Sequence, residues 1–157
     1  MAFVEVRIDD RLIHGQVTGY WVPHYKVDRI LIIDDEVAND EARKTVLKFG
    51  CPPGAKLSIF DTAKAYDKLS RKIDEGIRVM ILTRSPKPLR YLVENGYNLD
   101  HICVGNMSTK PGSTQVMKTI FVTDEEKSDF KYLSDKGVKL LIMEKPTDNA
   151  QDLAKML

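Results

Sequence analysis

Cysteine is scarce in this chain: Cys51 and Cys103 are the two among 157 residues. Two thiols do not build a disulfide framework, so a reducing cytosol is expected rather than a secreted, stapled scaffold. An excess of charge of one sign is also lacking. Lys+Arg 24 against Asp+Glu 23 leaves a formal net charge of +1. With no basic stripe along the chain, nucleic acid is not an expected partner. Long apolar runs are missing too, since Ile30-Leu31-Ile32-Ile33 falls far short of the about 18 residues that span a bilayer. The stretch from Met1 to Arg7 carries Glu5 and no extended apolar core, so no signal peptide is expected. Neither a Walker A pattern nor G-x-G-x-x-G is present, which leaves nucleotide binding without a motif. The histidines form no metal-ligand spacing with Cys51 or Cys103, and no metal or cofactor is implied. Internal repeats, low-complexity segments and linkers are absent.

What is present suits one ordinary globule spanning 1–157. At about 150 residues per domain the length predicts one domain, and a chain of this size buries roughly 70% of its unfolded surface. Hydrophobic residues at 43% and charged residues at 30% argue against disorder. Short β-branched apolar runs at 3–8, 29–33, 56–60, 79–82, 102–104, 119–122 and 138–143 predict strands. Several are apolar on consecutive residues, as in strands covered on both faces of a mostly parallel sheet. Helical spacing lies between them: Val17, Tyr20 and Trp21, then Ala42, Val46 and Phe49 as an apolar stripe. Asp61-Thr62 caps a helix over 63–73, and Thr123-Asp124 caps one over 125–136 with Phe130 and Leu133 inward. Gly50 and Gly137 close two helices, and Pro52-Pro53-Gly54 forces a turn. The stretch 148–157 reads as a C-terminal helix with Leu153 and Leu157 on one face. The fold class is therefore α/β, an open, mostly parallel twisted sheet of about seven strands with helices on both faces.

In such a sheet ligands bind beyond the carboxyl ends of the strands. The first such end reads Ile8-Asp9-Asp10-Arg11-Leu12-Ile13-His14-Gly15-Gln16-Val17. It packs two carboxylates, a guanidinium and an imidazole into six residues just before a helix. A helix start offers free N–H groups and a partial positive charge, which together make an anion site. Arg11 adds a fork of donors suited to phosphate. Gly15 keeps the backbone approachable. His14 carries a nitrogen that is nucleophilic when neutral. These residues suit a histidine that accepts a phosphoryl group and passes it on, with Asp9 or Asp10 fixing Arg11 or the imidazole tautomer. The plainer alternative has Asp9 and Asp10 capping the helix and Arg11 in a surface ion pair.

Other candidates carry less. His24, at a helix end, reads as a surface or capping residue, and His101 as a satisfied structural imidazole at a strand start. Asp34-Asp35-Glu36 could wall a site or hold Mg²⁺, but helix capping explains it more simply. The polar loop from Gly105 to Gly112 either lines the site or merely connects elements. Gly15 and Gly19 make a lone G-x-x-x-G, read as close helix packing. Trp21 is open between core and interface.

The segment Arg7-Ile8-Asp9-Asp10-Arg11-Leu12-Ile13-His14-Gly15-Gln16-Val17 closely resembles the active-site segment of enzyme IIB of the mannose/fructose/sorbose class of the bacterial phosphotransferase system. The resemblance continues in Asp34-Asp35-Glu36-Val37-Ala38-Asn39-Asp40-Glu41, in Pro52-Pro53-Gly54 and in Ile102-Cys103-Val104-Gly105. It implies the same seven-strand α/β fold and a phosphotransferase. His14 is then the phosphohistidine intermediate, with Nδ1 as the phosphorylated nitrogen, and Arg11 and Asp9 assist it. Asp10, Leu12, Ile13, Gly15 and Gln16 complete the phosphate-binding loop, and Asp34, Asp35, Asn106 and Met107 are possible site walls. The implied donor is a IIA component, and the acceptor is a sugar held by the membrane components IIC and IID. The protein would then be cytoplasmic and peripheral to the inner face of the membrane. Many relatives carry a second glycine where Asn106 stands, and Asn is expected to keep the loop because it tolerates positive φ. Two other classes compete: a sensor of phosphorylated ligands without transfer chemistry, and a receiver-like domain phosphorylated on Asp34 or Asp35.

Overall fold

The computed structural model describes residues 3–157. Met1 and Ala2, where the segment read for a leader begins, lie outside the described residues. Strand and helix alternate: β1 (Phe3–Asp9), a π-helical turn (Val17–Trp21) running into α1 (Val22–Tyr25), β2 (Arg29–Ile33), α2 (Asp35–Ala38), α3 (Glu41–Gly50), β3 (Lys56–Phe60), α4 (Thr62–Ser70), β4 (Val79–Thr83), α5 (Lys87–Glu94) and β5 (His101–Asn106). The hairpin β6 (Thr114–Met117) and β7 (Ile120–Val122) follows, then α6 (Asp124–Asp135), β8 (Lys139–Ile142), β9 (Gln151–Asp152) and a 3₁₀ turn (Leu153–Met156).

The main sheet has seven strands in the order β3-β2-β4-β1-β5-β8-β9. All its pairings are parallel except β8 with β9. Two cores cover the two faces. Val17, Trp21, Val27, Leu47 and the Ile30, Ile32, Met80 and Leu82 side chains make one. Leu69, Leu89, Leu92, Phe130 and Leu133 pack on Val6, Ile8, Leu31, Ile33 and Ile81 in the other. The alternation of Ile30 and Ile32 against Leu31 and Ile33 is the two-residue period of a strand buried on both faces. β1 sits at the centre, and the chain leaves it toward β2 on one side while β5 and β8 extend the other. In open α/β sheets ligands bind at such a switch, and here it lies at the loop beyond the carboxyl end of β1.

The local signals act as expected at several helix starts. Asp61 accepts from the Lys64 amide at 2.7 Å, and Thr123 forms a reciprocal capping box with Glu126. Gly137, at φ +88°, follows α6 in the left-handed conformation that ends a helix. Gly50 instead ends α3 without positive φ. Four expectations need larger correction. The run at 119–122 is not in the main sheet, because β7 pairs with β6 across a two-residue turn. The C-terminal stretch is not one helix: Gln151 and Asp152 pair antiparallel with β8 and occupy the seventh place, and only Leu153–Met156 are helical, as a 3₁₀ turn. Pairing there satisfies the exposed backbone of an edge strand, and Asp152 then turns the chain by accepting from the Ala154 amide at 3.0 Å. Ala42, Val46 and Phe49 face solvent rather than the core, with Phe49 87% exposed and only Leu47 of α3 buried. Gly15 and Gly19 are exposed, and a Cβ on either would meet open space, so no helix packs there.

Candidate active site

Strand alternation puts Glu5, Arg7 and Asp9 on one side of β1, and all three are buried. A charged residue stays buried only when paired or hydrogen-bonded, so this column demands partners. Asp9, fully buried at the carboxyl end of β1, finds the most. Its Oδ1 accepts from the Arg11 amide at 3.1 Å and from Arg11 Nε at 3.0 Å. Its Oδ2 accepts from Arg11 Nη2 at 2.9 Å and lies 2.9 Å from His14 Nε2. Burial alone would raise the Asp9 pKa, but hydrogen bonds and charge from His14 and Arg11 outweigh it and leave it below the ordinary value. Arg11 is raised in turn, first by its hydrogen bond to Asp9.

The loop that brings these groups together is tightly wound. Leu12 donates its amide to Asp9 O at 2.9 Å and takes a left-handed conformation, φ +60°. A leucine pays about 1–2 kcal/mol for that backbone. Its fully buried side chain, packed in the core beside Val17 and Trp21, offsets the cost. Ile13 is half-buried next to Gly50 at the end of α3. His14 O then accepts from the Thr18 amide at 3.0 Å, starting the helix. The Gln16 amide lies 3.3 Å from His14 Nδ1, and Gln16 Oε1 accepts from Arg11 Nη2 at 3.0 Å. An N–H facing Nδ1 requires a lone pair there, so Nε2 carries the hydrogen and donates to Asp9.

Asp10 turns away from the imidazole and ties the loop to β5. Its carboxylate accepts from the Ser108 amide at 2.6 Å and from Asn106 Nδ2 at 2.8 Å. The loop from Gly105 to Gly112 is therefore attached to the site through Asp10. Asn106 is an extended strand residue with no positive φ, contrary to expectation, and it serves through its amide. Three further candidates lie apart from the imidazole. Met107 is fully buried in the opposite core. Asp34 caps α2 through the Val37 amide at 3.0 Å and accepts from Arg84 Nη2 at 2.9 Å. Asp35 accepts from the Thr62 amide and hydroxyl at 2.7 Å and 2.9 Å. Helix capping, the simpler of the two readings of this run, holds for Asp34, and neither residue shares a hydrogen bond with the loop from Asp9 to Gln16.

Arg7 is the component that sequence reading missed. Its guanidinium lies 4.3 Å over the Trp21 ring, donates to Met143 O at 2.9 Å, and sits 3.9 Å from Asp9 Oδ2. Gly105 makes the room, since a Cβ there would collide with the Arg7 guanidinium. Trp21, open between core and interface in the sequence, is fully buried and donates Nε1–H to Glu144 O at 3.0 Å. The other two histidines stay outside the site. His24 is exposed, stacking edge-on against Tyr25, and His101 pairs with Glu5 and Asp100 near the amino end of the sheet.

Comparison with known proteins gives one consistent result. The chain matches the family described as PTS system sorbose subfamily IIB component over residues 3–157. It is 34% identical to the PTS system fructose-specific EIIB component of Bacillus subtilis, covering all of this chain and 96% of that one. It is 39% identical over 142 residues to the mannose-specific EIIAB component of Escherichia coli, covering 90% of this chain and 44% of that longer one. The crystal structure of the IIBSor domain of the sorbose permease from Klebsiella pneumoniae superposes with a TM-score of 0.94 at 31% identity, over 99% of this chain and 96% of that one. With a family match spanning nearly the whole chain, and relatives above 30% identity along it, the chain belongs to the sorbose-subfamily IIB components of the phosphotransferase system, the phosphotransferase parts of sugar-transport systems.

Proposed function

We propose that His14 accepts a phosphoryl group from a phosphohistidine on a IIA partner and passes it to a sugar held by the membrane components IIC and IID. One observation carries this reading: His14 Nε2 is held at 2.9 Å by the buried carboxylate of Asp9, and Nδ1 is left as the nucleophile at a helix start. The Nδ1 lone pair attacks phosphorus, the donor's N–P bond breaks, and the departing imidazole keeps that electron pair. The ring of His14 becomes a phosphorylated imidazolium with its hydrogen still on Nε2, and Asp9 stabilises the positive charge. No proton has to move on the His14 ring in this step, so the same ring leaves as a neutral imidazole when the sugar hydroxyl attacks, and the hydroxyl proton passes to a base beside the sugar in the membrane components. Arg11 and the amides of the first helical turn neutralise the phosphoryl oxygens. The protein acts at the inner face of the membrane through its partners. Among the described residues no helix is long and apolar enough to cross a membrane.

Incubation with radiolabelled phospho-IIA tests the reading. Label that is stable in alkali, labile in acid and absent from His14→Ala is the expected result. Label that is labile in alkali, or undiminished in His14→Ala, would place the chemistry on a carboxylate such as Asp34 or Asp35. A protein that binds phospho-IIA and takes no label would be a sensor instead.

A further inference from the structure

We propose that Arg7 is a positioning residue that takes over Asp9 when Arg11 leaves it for the phosphoryl group, an inference that rests on the His14 reading above. In the unphosphorylated protein two of the three guanidinium nitrogens of Arg11 are engaged: Nε and Nη2 hold the two oxygens of Asp9, and Nη2 also donates to Gln16. Its side chain is 42% exposed, so it is free to swing outward. To grip a phosphoryl group on His14 Nδ1 with two parallel N–H donors it gives up at least part of that fork. Asp9, which is fully buried, would then keep only His14 Nε2 and the Arg11 amide. A buried carboxylate that trades the Arg11 fork for the imidazolium alone is left under-compensated, and it draws the Nε2 proton toward itself or loses its geometry. Either outcome removes the negative charge that stabilises the phosphorylated imidazolium.

Arg7 is placed to prevent this. Its Nη2 is buried, has no hydrogen-bond partner among the described residues, and lies 3.9 Å from Asp9 Oδ2. A shift of about 1 Å makes that contact a charge-assisted hydrogen bond. The rest of the guanidinium is anchored by Met143 O at 2.9 Å, by Cys103 Sγ at 3.4 Å and by the Trp21 ring. With no exposed surface it cannot follow the phosphoryl group out. The charged groups around Asp9 are thus Arg7 from β1 beneath it and Arg11 and His14 from the loop above, with Asp10 directed to β5. One cation is fixed and one is mobile. Gly105 belongs to the same device, because any side chain there would push Arg7 off its seat.

The test uses phospho-IIA as donor and follows the rate of His14 phosphorylation in Arg7→Met, Arg7→Lys and the parent. Arg7→Met should slow phosphorylation by on the order of tenfold or more, and Arg7→Lys should restore it to within about threefold of the parent. The imidazole ¹⁵N shifts of unphosphorylated Arg7→Met should match the parent, because Arg11 still holds Asp9 in that state. A folded Arg7→Met within about twofold of the parent rate overturns the proposal, as does an equal loss in Arg7→Lys, which would mark packing rather than charge. Should Arg7→Met fail to fold, Gly105→Ala carries the test: it keeps the charge in the chain but displaces it from Asp9. The same slowing is expected there, and an unchanged rate is contrary. A parent that takes no label on His14 would instead remove the functional reading on which the proposal stands.

Discussion

His14 and His101 make the same first contact and differ in the second. Each places Nε2 against a buried carboxylate of β1, Asp9 at 2.9 Å and Glu5 at 2.8 Å. Their exposures are close, 18% and 28% of the side chain, so burial does not separate them. The other nitrogen does. Nδ1 of His101 lies 3.2 Å from the Asp100 carboxylate, which requires a proton there, whereas Nδ1 of His14 meets the Gln16 amide, which requires a lone pair. Hydrogen bonding to Glu5 is the largest cause that raises His101 above its ordinary pKa. With a carboxylate facing each nitrogen, both ring nitrogens are engaged and neither is left free as a nucleophile. A strand that carries acidic residues at both ends can thus build two imidazole sites, and the helix start beyond Asp9 leaves one of them with an unprotonated nitrogen facing an amide.

The largest break in this comparison should come from Asp9→Asn. It leaves Arg7 and Arg11 without their counterion and removes the acceptor that fixes Nε2–H. Phosphorylation of His14 should fall about 10³-fold, with about 3–5 kcal/mol lost from stability by denaturant titration. Arg11→Gln comes next: its half-exposed side chain should cost at most about 1 kcal/mol of stability, while transfer slows about 10²-fold. Glu5→Gln should act on the other site only. About 1.5–3 kcal/mol of stability goes with a hydrogen bond to a charged group, and the His14 transfer rate stays as in the parent. Because the His101 pKa is raised in the folded state, its contribution is complete below pH about 6.5 and fades as pH rises through the raised value. The difference in Tm between parent and Glu5→Gln should accordingly be widest near pH 5–6 and narrow toward pH 9. Asp100→Asn, at a carboxylate 82% exposed, should give the smallest effect, below about 1 kcal/mol, with the same sign of pH dependence.

Much of the site was legible because Asp9, Arg11, His14 and Gln16 lie within one contiguous loop, where spacing translates directly into proximity. Arg7 was not, since in sequence it is one more strand residue, and only the depth of β1 beneath Trp21 makes it a buried cation. The link from Asp10 to Asn106 and Ser108 was equally hidden, because it joins residues nearly a hundred positions apart. The same contrast holds for the fold. Apolar runs marked six strands of the main sheet, and the number seven was right, but its seventh member is β9 rather than β7. Strand propensity is local, whereas the choice of pairing partner is not. On α3 the 3.6-residue period marked Ala42, Val46 and Phe49 as one face. Periodicity identifies a face without saying what covers it, and here the chain itself does not.

The most direct test of the account is long-range ¹H–¹⁵N correlation of both imidazoles, before and after phosphorylation by phospho-IIA. In the neutral form His14 should show hydrogen on Nε2 and an unprotonated Nδ1, and phosphorylation should produce a ¹⁵N–³¹P coupling at Nδ1 alone. His101 should carry hydrogen on both nitrogens and remain unchanged. A His14 with its hydrogen on Nδ1, a phosphorus coupling at Nε2, or a coupling on His101 would contradict the assignment of roles to the two histidines.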